Sequence, residues 1–555
     1  MTRLTTFVSL LVASQVPIHV GAQNSTTKTV DLGYATYTTD VSLDDGVTSF
    51  LGIRYAAPPT GDLRFQAPHP PSNVSAILNA TTQPAQCWSE DAFGFNTTSP
   101  YSQNLARRDT PPPPPVPTVS DEDCLFLNVH VPTALVPGRG APLPVVVWIH
   151  GGGYDSGNVS LYPLQTFVHD SNYSLISVGI QYRLGAFGFL SGEEIKEGGA
   201  LNSGLLDQQF ALRWVQDHIA SFGGDPSKVT IWGQSAGAGS VLQHIVAHGG
   251  KTNPPLFRAG IMSSPFLPFQ FPYNDAEPEA IYSMLVDGVN CTSSTDTLAC
   301  LRSIPADTLL SAQTTIVTAN FLGTYTFVPV IDGALIVERP TETLRKGIVN
   351  GEALLVDTVA HEGDIFANAD FLSTNNFTLP QYVAALFPRL DESQQAQVVD
   401  IYSNNSRFGT VPAQAAAVMG ECKSLFMVMP EDVAFGSKGW KSEFAIPPAL
   451  HGMDLGTVFS QNVTAFSRGE PLYTNPAFSL AFRTAFFSLA ENLDPNAHPG
   501  VDTIAPAFSA WNATQEEVLF NKTEAGEPVV DVVNTDTGLS GRCALWEEFA
   551  GVNSQ

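Results

Sequence analysis

Apolar runs of strand length alternate with helical patterns along the central part of the chain. Leu125 to Val131, Val145 to Ile149 and Leu175 to Ile180 are continuous apolar runs, whereas Leu205 to Ser221 spaces Leu206, Phe210, Trp214 and Ile219 as one face of a helix. Val229 to Trp232 is β-branched and aromatic, as a buried strand requires, and Ala236 to His248 has the small and apolar residues of a helix. Further strand-length runs follow at Ala259 to Met262, Ala353 to Val356 and Glu443 to Ile446. A strand apolar at every position is covered on both faces, so the pattern predicts an α/β fold: a large, mostly parallel central sheet flanked by helices. Residues 35 to 55 differ. They alternate apolar and polar (Tyr37, Val41, Val47, Phe50) around Asp44-Asp45-Gly46, which predicts a small N-terminal β-hairpin at the edge of the domain. The proline-rich Ala56 to Pro71 is expected to be irregular. No internal repeat or domain-scale linker interrupts the pattern, so residues 23–555 are expected to form a single domain.

Residues 1–22 stand outside that pattern. Arg3, an apolar run through Val12 and Ala13, and Val20-Gly21-Ala22 have the order of a secretory signal peptide cleaved after Ala22. The run is broken by Ser14, Gln15 and Pro17 and is too short for an anchor, and no later segment is long enough to span a bilayer. Stable membrane insertion is therefore not expected, and the protein is expected to be secreted and extracellular. The formal net charge of −27 agrees, because such a surface repels nucleic acid and anionic membranes. It leaves the oligomeric state open.

Six cysteines in a secreted chain suggest three disulfides, whose connectivity sequence alone leaves undecided. Cys291 and Cys300 are close enough to close a small loop, and pairing the others in order joins Cys87 to Cys124 and Cys422 to Cys543. The excursion between Cys87 and Cys124 contains Arg107-Arg108, a candidate protease site, and the stiff run Pro111 to Pro115. If its cysteines are joined, it is a closed loop able to overhang a pocket. Glycosylation sequons begin at Asn24, Asn73, Asn79, Asn96, Asn158, Asn172, Asn290, Asn376, Asn404, Asn462, Asn512 and Asn521, as expected of a glycoprotein with many surface loops.

The candidate chemistry centres on Gly233-Gln234-Ser235-Ala236-Gly237, a Gly-x-Ser-x-Gly lying straight after a predicted strand and straight before a predicted helix. A serine at so sharp a turn needs small neighbours, and it presents its hydroxyl at a helix N-terminus, where developing negative charge is favoured. Ester hydrolysis also needs a base, an acid that orients the base, and donors for the oxyanion. His150-Gly151-Gly152-Gly153-Tyr154, at the end of a predicted strand, frees backbone N–H groups to point into a cavity, and the N–H of Ala236 would join those of the glycine run in an oxyanion hole. Among 11 histidines, His451 lies on a loop after a strand near the C-terminal end, where this architecture puts the base; His498 is a weaker candidate. Glu362, beyond the strand Ala353 to Val356, is the expected acid, with Asp332 and Asp357 as rivals. His244 and His248 share a helix face, but Ile245 stands where a metalloprotease needs glutamate, so no metal and no organic cofactor is expected.

In these motifs, and in Phe222-Gly223-Gly224-Asp225-Pro226, Glu122-Asp123-Cys124-Leu125, Phe50-Leu51-Gly52-Ile53, and Asn202 with Gly204-Leu205-Leu206-Asp207-Gln208, the chain resembles the type-B carboxylesterase/lipase family. That group includes cholinesterases and secreted fungal lipases, and the resemblance covers essentially the whole mature length. It implies an α/β-hydrolase fold with Ser235 as nucleophile, Glu362 as acid, His451 as base, and Gly152, Gly153 and Ala236 as oxyanion donors. It further implies that Ser264 supports the acid, that the three disulfides pair in order, and that the Cys87–Cys124 loop is a lid. The expected activity is that of a secreted serine carboxylesterase on a small-molecule or lipid ester. The alternatives are a lipase or sterol esterase on long-chain esters, a feruloyl-type aryl esterase, or a non-catalytic binding protein. Phe266, Phe269, Phe271, Tyr273, Phe321 and Phe327 are candidates to line the pocket.

Overall fold

The computed structural model describes residues 27–42, 44–89, 120–321, 323–422, 434–461 and 471–555, without the side chains of 512 and 513. The expected leader, Arg107-Arg108, the proline run and the sequons at Asn24, Asn96, Asn462 and Asn512 lie outside the described residues or side chains.

The apolar runs become the strands of a ten-stranded sheet: β1 (Val47–Arg54), β2 (Phe126–Pro132), β3 (Leu143–Ile149), β4 (Ile176–Ile180), β5 (Gly224–Gln234), β6 (Ala259–Ser263), β7 (Ala353–Val359), β8 (Gly439–Phe444), β9 (Glu516–Lys522) and β10 (Pro528–Asn534). Their order is β10-β9-β8-β7-β6-β5-β3-β4-β2-β1, parallel from β4 to β9, with β10, β2 and β1 antiparallel to their neighbours.

Alternation along each strand sends successive side chains to opposite faces. Val145, Val147 and Ile149 enter one apolar cluster, with Leu205 and Leu212 of α1 (Ser203–His218) and Val241 and Ile245 of α2 (Ala236–Gly250). Val146 and Trp148 enter the other, with Phe478, Phe482 and Phe486 of α3 (Pro476–Asn492). Both faces are therefore covered, as the unbroken apolar runs require.

The N-terminal hairpin forms from different strands than expected. Thr27–Asp31 pairs antiparallel with Thr36–Asp40, while Val47–Arg54 leaves to become the edge of the large sheet. The alternation was right; the partner was set by the long-range match to β2.

Cys87–Cys124 and Cys291–Cys300 are joined, at S–S distances of 2.00 and 1.98 Å. The third expected bridge is not formed: Cys422 and Cys543 are both buried, and Cys422 Sγ turns back to the Met419 carbonyl oxygen of its own helix at 3.5 Å. What ties those two segments together is the neighbouring ion pair, in which Arg542 donates to both carboxylate oxygens of Glu421 at 2.7 and 2.8 Å.

Sequence motifs in the loops are anchors of the same kind. Arg64 grips Glu122 and Arg54 grips Asp123 beside Cys124. On α1, Asp207 accepts from Arg183 at 2.7 Å through each oxygen, with both side chains buried. Removing the carboxylate would leave a buried guanidinium uncompensated, so Asp207→Ala is expected to cost about 3–5 kcal/mol, read as a lowered Tm in thermal denaturation.

Candidate active site

Ser235 sits between the last residue of β5 and the first of α2, with φ 57° and ψ −123°. That left-handed conformation costs a non-glycine residue about 1–3 kcal/mol and persists only where the surroundings impose it. Here the Ser235 N–H donates to the Ser263 carbonyl oxygen at 3.0 Å and its carbonyl accepts from Gly239 N–H at 2.8 Å. The flanking glycines are required sterically. A Cβ at Gly233 would overlap the main chain of Gly237, and one at Gly237 would overlap the carbonyl oxygen of Ile149.

The glycine turn after β3 lies against this serine. A Cβ on Gly151 would come within 3.0 Å of Ser235 Cβ. Gly152 and Gly153 adopt φ of 115° and 67°, and the Gly152 carbonyl accepts from the N–H groups of Asp155 and Ser156 at 3.1 and 2.9 Å. His150 braces the turn from behind, stacked on Tyr182 with ring centroids 4.4 Å apart. Burial pushes it down to about 4, so it is neutral at ordinary pH.

The loops after β7 and β8 meet in one bridge, in which His361 N–H donates to the Ala449 carbonyl at 3.0 Å. That bridge brings Glu362 and His451 together: His451 Nδ1 donates to Glu362 Oε2 at 2.6 Å, and Glu362 Oε1 accepts from Val359 N–H at 3.0 Å. Both side chains are buried, and Phe366 lies edge-on to the imidazole at 5.1 Å. Ser235, Glu362 and His451 all line one cleft, closed by Phe266, Gly323, Tyr325, Phe366, Met419 and Gly420. Its volume of about 10 Å³ holds roughly one water. An ester enters only as one of the covering side chains gives way.

The rival residues have structural employment. Asp332 accepts from Asn202 Nδ2 at 2.5 Å and from the N–H groups of Ala334 and Ile336, and Asp357 lies within β7, bonded to Ser442 Oγ at 2.6 Å. His244 is buried against Gln208, and His498 caps an exposed turn. Among the described residues no cluster of three metal-ligating side chains occurs.

Ser264 does not support Glu362 through its hydroxyl. Its Oγ is buried without a hydrogen-bond partner, and its N–H donates to the Asp357 carbonyl at 2.7 Å. Of the aromatic candidates, Phe266 lines the cleft, Phe327 is buried in the core and Tyr273 packs beside Lys196. Phe269, Phe271 and Phe321 line a second, apolar cavity of about 320 Å³ that shares Tyr325 with the cleft.

Sequence reasoning missed Tyr325 and Phe366, which arrive from loops with no signature, and Met419, from the end of the helix Val411–Gly420. It also missed Asp454, three residues beyond His451 at the start of the short helix Leu455–Val458. Asp454 is fully buried and is pushed up to about 7, by burial first and then by the Glu362 carboxylate, with His451 pulling it back. Asn158, expected to carry a glycan, is buried and accepts from Ser160 N–H at 3.0 Å, whereas Asn73, Asn79, Asn172, Asn290, Asn376 and Asn404 are exposed and Asn521 is half-buried.

Comparison with known proteins gives the same fold. Residues 35–416 match the model of the carboxylesterase family. A secreted triacylglycerol lipase of Gibberella zeae is 30% identical over 88% of this chain and 86% of its own. Carboxylesterase patB of Penicillium expansum is 31% identical over 97% of both chains. Among solved structures, the crystal structure of Aspergillus niger EstA superposes with a TM-score of 0.81 at 27% identity, covering 95% of this chain and 99% of that one. The chain belongs to the carboxylesterase family and is a serine hydrolase acting on carboxylic ester bonds.

Proposed function

We propose that the protein is a secreted carboxylesterase whose hydrolytic set is Ser235, His451 and Glu362. One observation carries the reading: His451 is locked by its Nδ1 onto Glu362 in the same cleft that Ser235 lines from its strained turn. With Nδ1 protonated, Nε2 carries the lone pair that takes the serine proton as Oγ attacks the ester carbonyl, and Glu362 stabilises the imidazolium. The proton then passes to the departing alkoxide, water repeats the cycle on the acyl-enzyme, and the N–H groups of Gly152, Gly153 and Ala236 receive the oxyanion. Residues 1–22 act as a cleaved leader and residues 23–555 as one domain. The name of the Gibberella zeae relative supports secretion, and no helix among the described residues is long and apolar enough to cross a membrane.

The test is covalent labelling with a fluorophosphonate and turnover of a p-nitrophenyl ester series. A chain that takes no label and cleaves no ester contradicts the proposal. Action on long-chain esters is the second reading, favoured by the apolar cavity of about 320 Å³ on the far side of Tyr325. The Tyr325 ring also covers Gly153, where a Cβ would overlap it. Tyr325→Ala is expected to join cleft and cavity and to raise kcat/KM on long-chain relative to short-chain esters about tenfold. An unchanged ratio removes the long-chain reading.

A further inference from the structure

Gln234, the residue immediately before Ser235, is fully buried, and its side-chain amide reaches the reacting nitrogen of the base. Gln234 Nε2 stands 3.2 Å from His451 Nε2. Because His451 Nδ1 is committed to Glu362 at 2.6 Å, Nε2 carries the lone pair of the neutral imidazole and the Gln234 N–H is the donor to it. The other end of the amide makes no such contact. Gln234 Oε1 is buried without a hydrogen-bond partner and lies beside Gly151, where a Cβ would come within 2.8 Å of it.

The effect of this contact depends on protonation. An N–H aimed at Nε2 is satisfied while the ring is neutral and meets a second N–H once the ring is charged, so it favours the neutral form. A carboxylate in the same place would do the opposite. The other polar groups around the imidazole are Glu362 on Nδ1, Asp454 from the following turn, and Asp357 of β7 behind them, the last two with their carboxyls pushed up by burial. Phe366 contributes a ring edge, and Ser235 stands at the N-terminus of α2. Gln234 meets this acidic side from the opposite nitrogen as an uncharged donor.

We propose that Gln234 is a positioning residue that holds His451 unprotonated by donating to its reacting nitrogen, keeping Ser235 activated in acidic surroundings. The proposal rests on the reading of Ser235, His451 and Glu362 as the hydrolytic set. At 3.2 Å the contact is at the long end of the hydrogen-bond range, so the serine O–H displaces it as an ester binds.

The experiment compares the wild-type chain with Gln234→Glu and Gln234→Met. It records kcat/KM on p-nitrophenyl acetate and the rate of fluorophosphonate labelling from acidic to alkaline pH. Gln234→Glu is expected to move the acid limb of both profiles up by about one pH unit, read relative to each variant's own alkaline plateau. Gln234→Met, which lacks the donor, moves it less in the same direction. An acid limb that stays in place in both variants, however far the plateau falls, overturns the proposal and leaves Gln234 a packing residue. Should Gln234→Glu fail to fold, Gln234→Met decides by the same criterion. A wild-type chain that neither turns over ester nor takes label refutes the hydrolytic reading instead, whatever the variants do.

Discussion

Ser235→Ala is expected to lower kcat on any ester by roughly a million-fold and to abolish fluorophosphonate labelling, with Tm unchanged or slightly raised. The effect is large because the hydroxyl has no substitute. Ser235 is the residue that the turn between β5 and α2 forces into the left-handed region, and the glycines at 151, 233 and 237 all make room for that turn. Removing the hydroxyl leaves the backbone strain in place, so fold and function separate cleanly. Adding His451→Ala to Ser235→Ala should cost little more, because the base has no other proton to take in this step. A clearly additive second loss in steady-state kinetics would mean that His451 acts elsewhere.

Glu362→Gln is expected to lower kcat by about ten thousand-fold with KM little changed. The carboxylate accepts from His451 Nδ1 at 2.6 Å and from Val359 N–H at 3.0 Å, so one oxygen is fixed by main chain and the other is aimed at the imidazole. An amide can turn its NH2 towards Nδ1, which then must accept, and the proton moves to Nε2, where it blocks the nucleophile's proton. The carboxylate also offsets the charge on the imidazolium during attack. A drop of less than about tenfold would transfer the orienting role to another acid. Asp454, the buried carboxyl beside the pair, would then be the next to replace.

Much of this site was legible in the chain because its parts are local. The elbow at 233–237 and the glycine turn at 150–153 announce themselves, since only glycines tolerate the approaches that those turns make. The strands of the parallel sheet were legible for a related reason: burial on both faces erases alternation and leaves apolar runs such as Val145 to Ile149. The motifs around Glu122-Asp123 and Asp207 were equally visible, but their meaning was not. They are ion-pair anchors to Arg64, Arg54 and Arg183, partners that lie far away in sequence.

The sequence by itself determined the sheet, the turn at 233–237 and the glycine turn at 150–153, and singled out Glu362 and His451, which meet in the cleft, because short-range sterics and burial on both faces write local signatures. Only the tertiary structure decided which strand pairs with Val47–Arg54, that Cys422 and Cys543 stay apart, and that Ser264 turns away from Glu362. Tyr325, Phe366, Asp454 and the amide of Gln234 likewise gain their parts only when loops distant in the chain converge. A side chain's partner across such a distance is set by packing between whole elements, and no spacing along the chain encodes it.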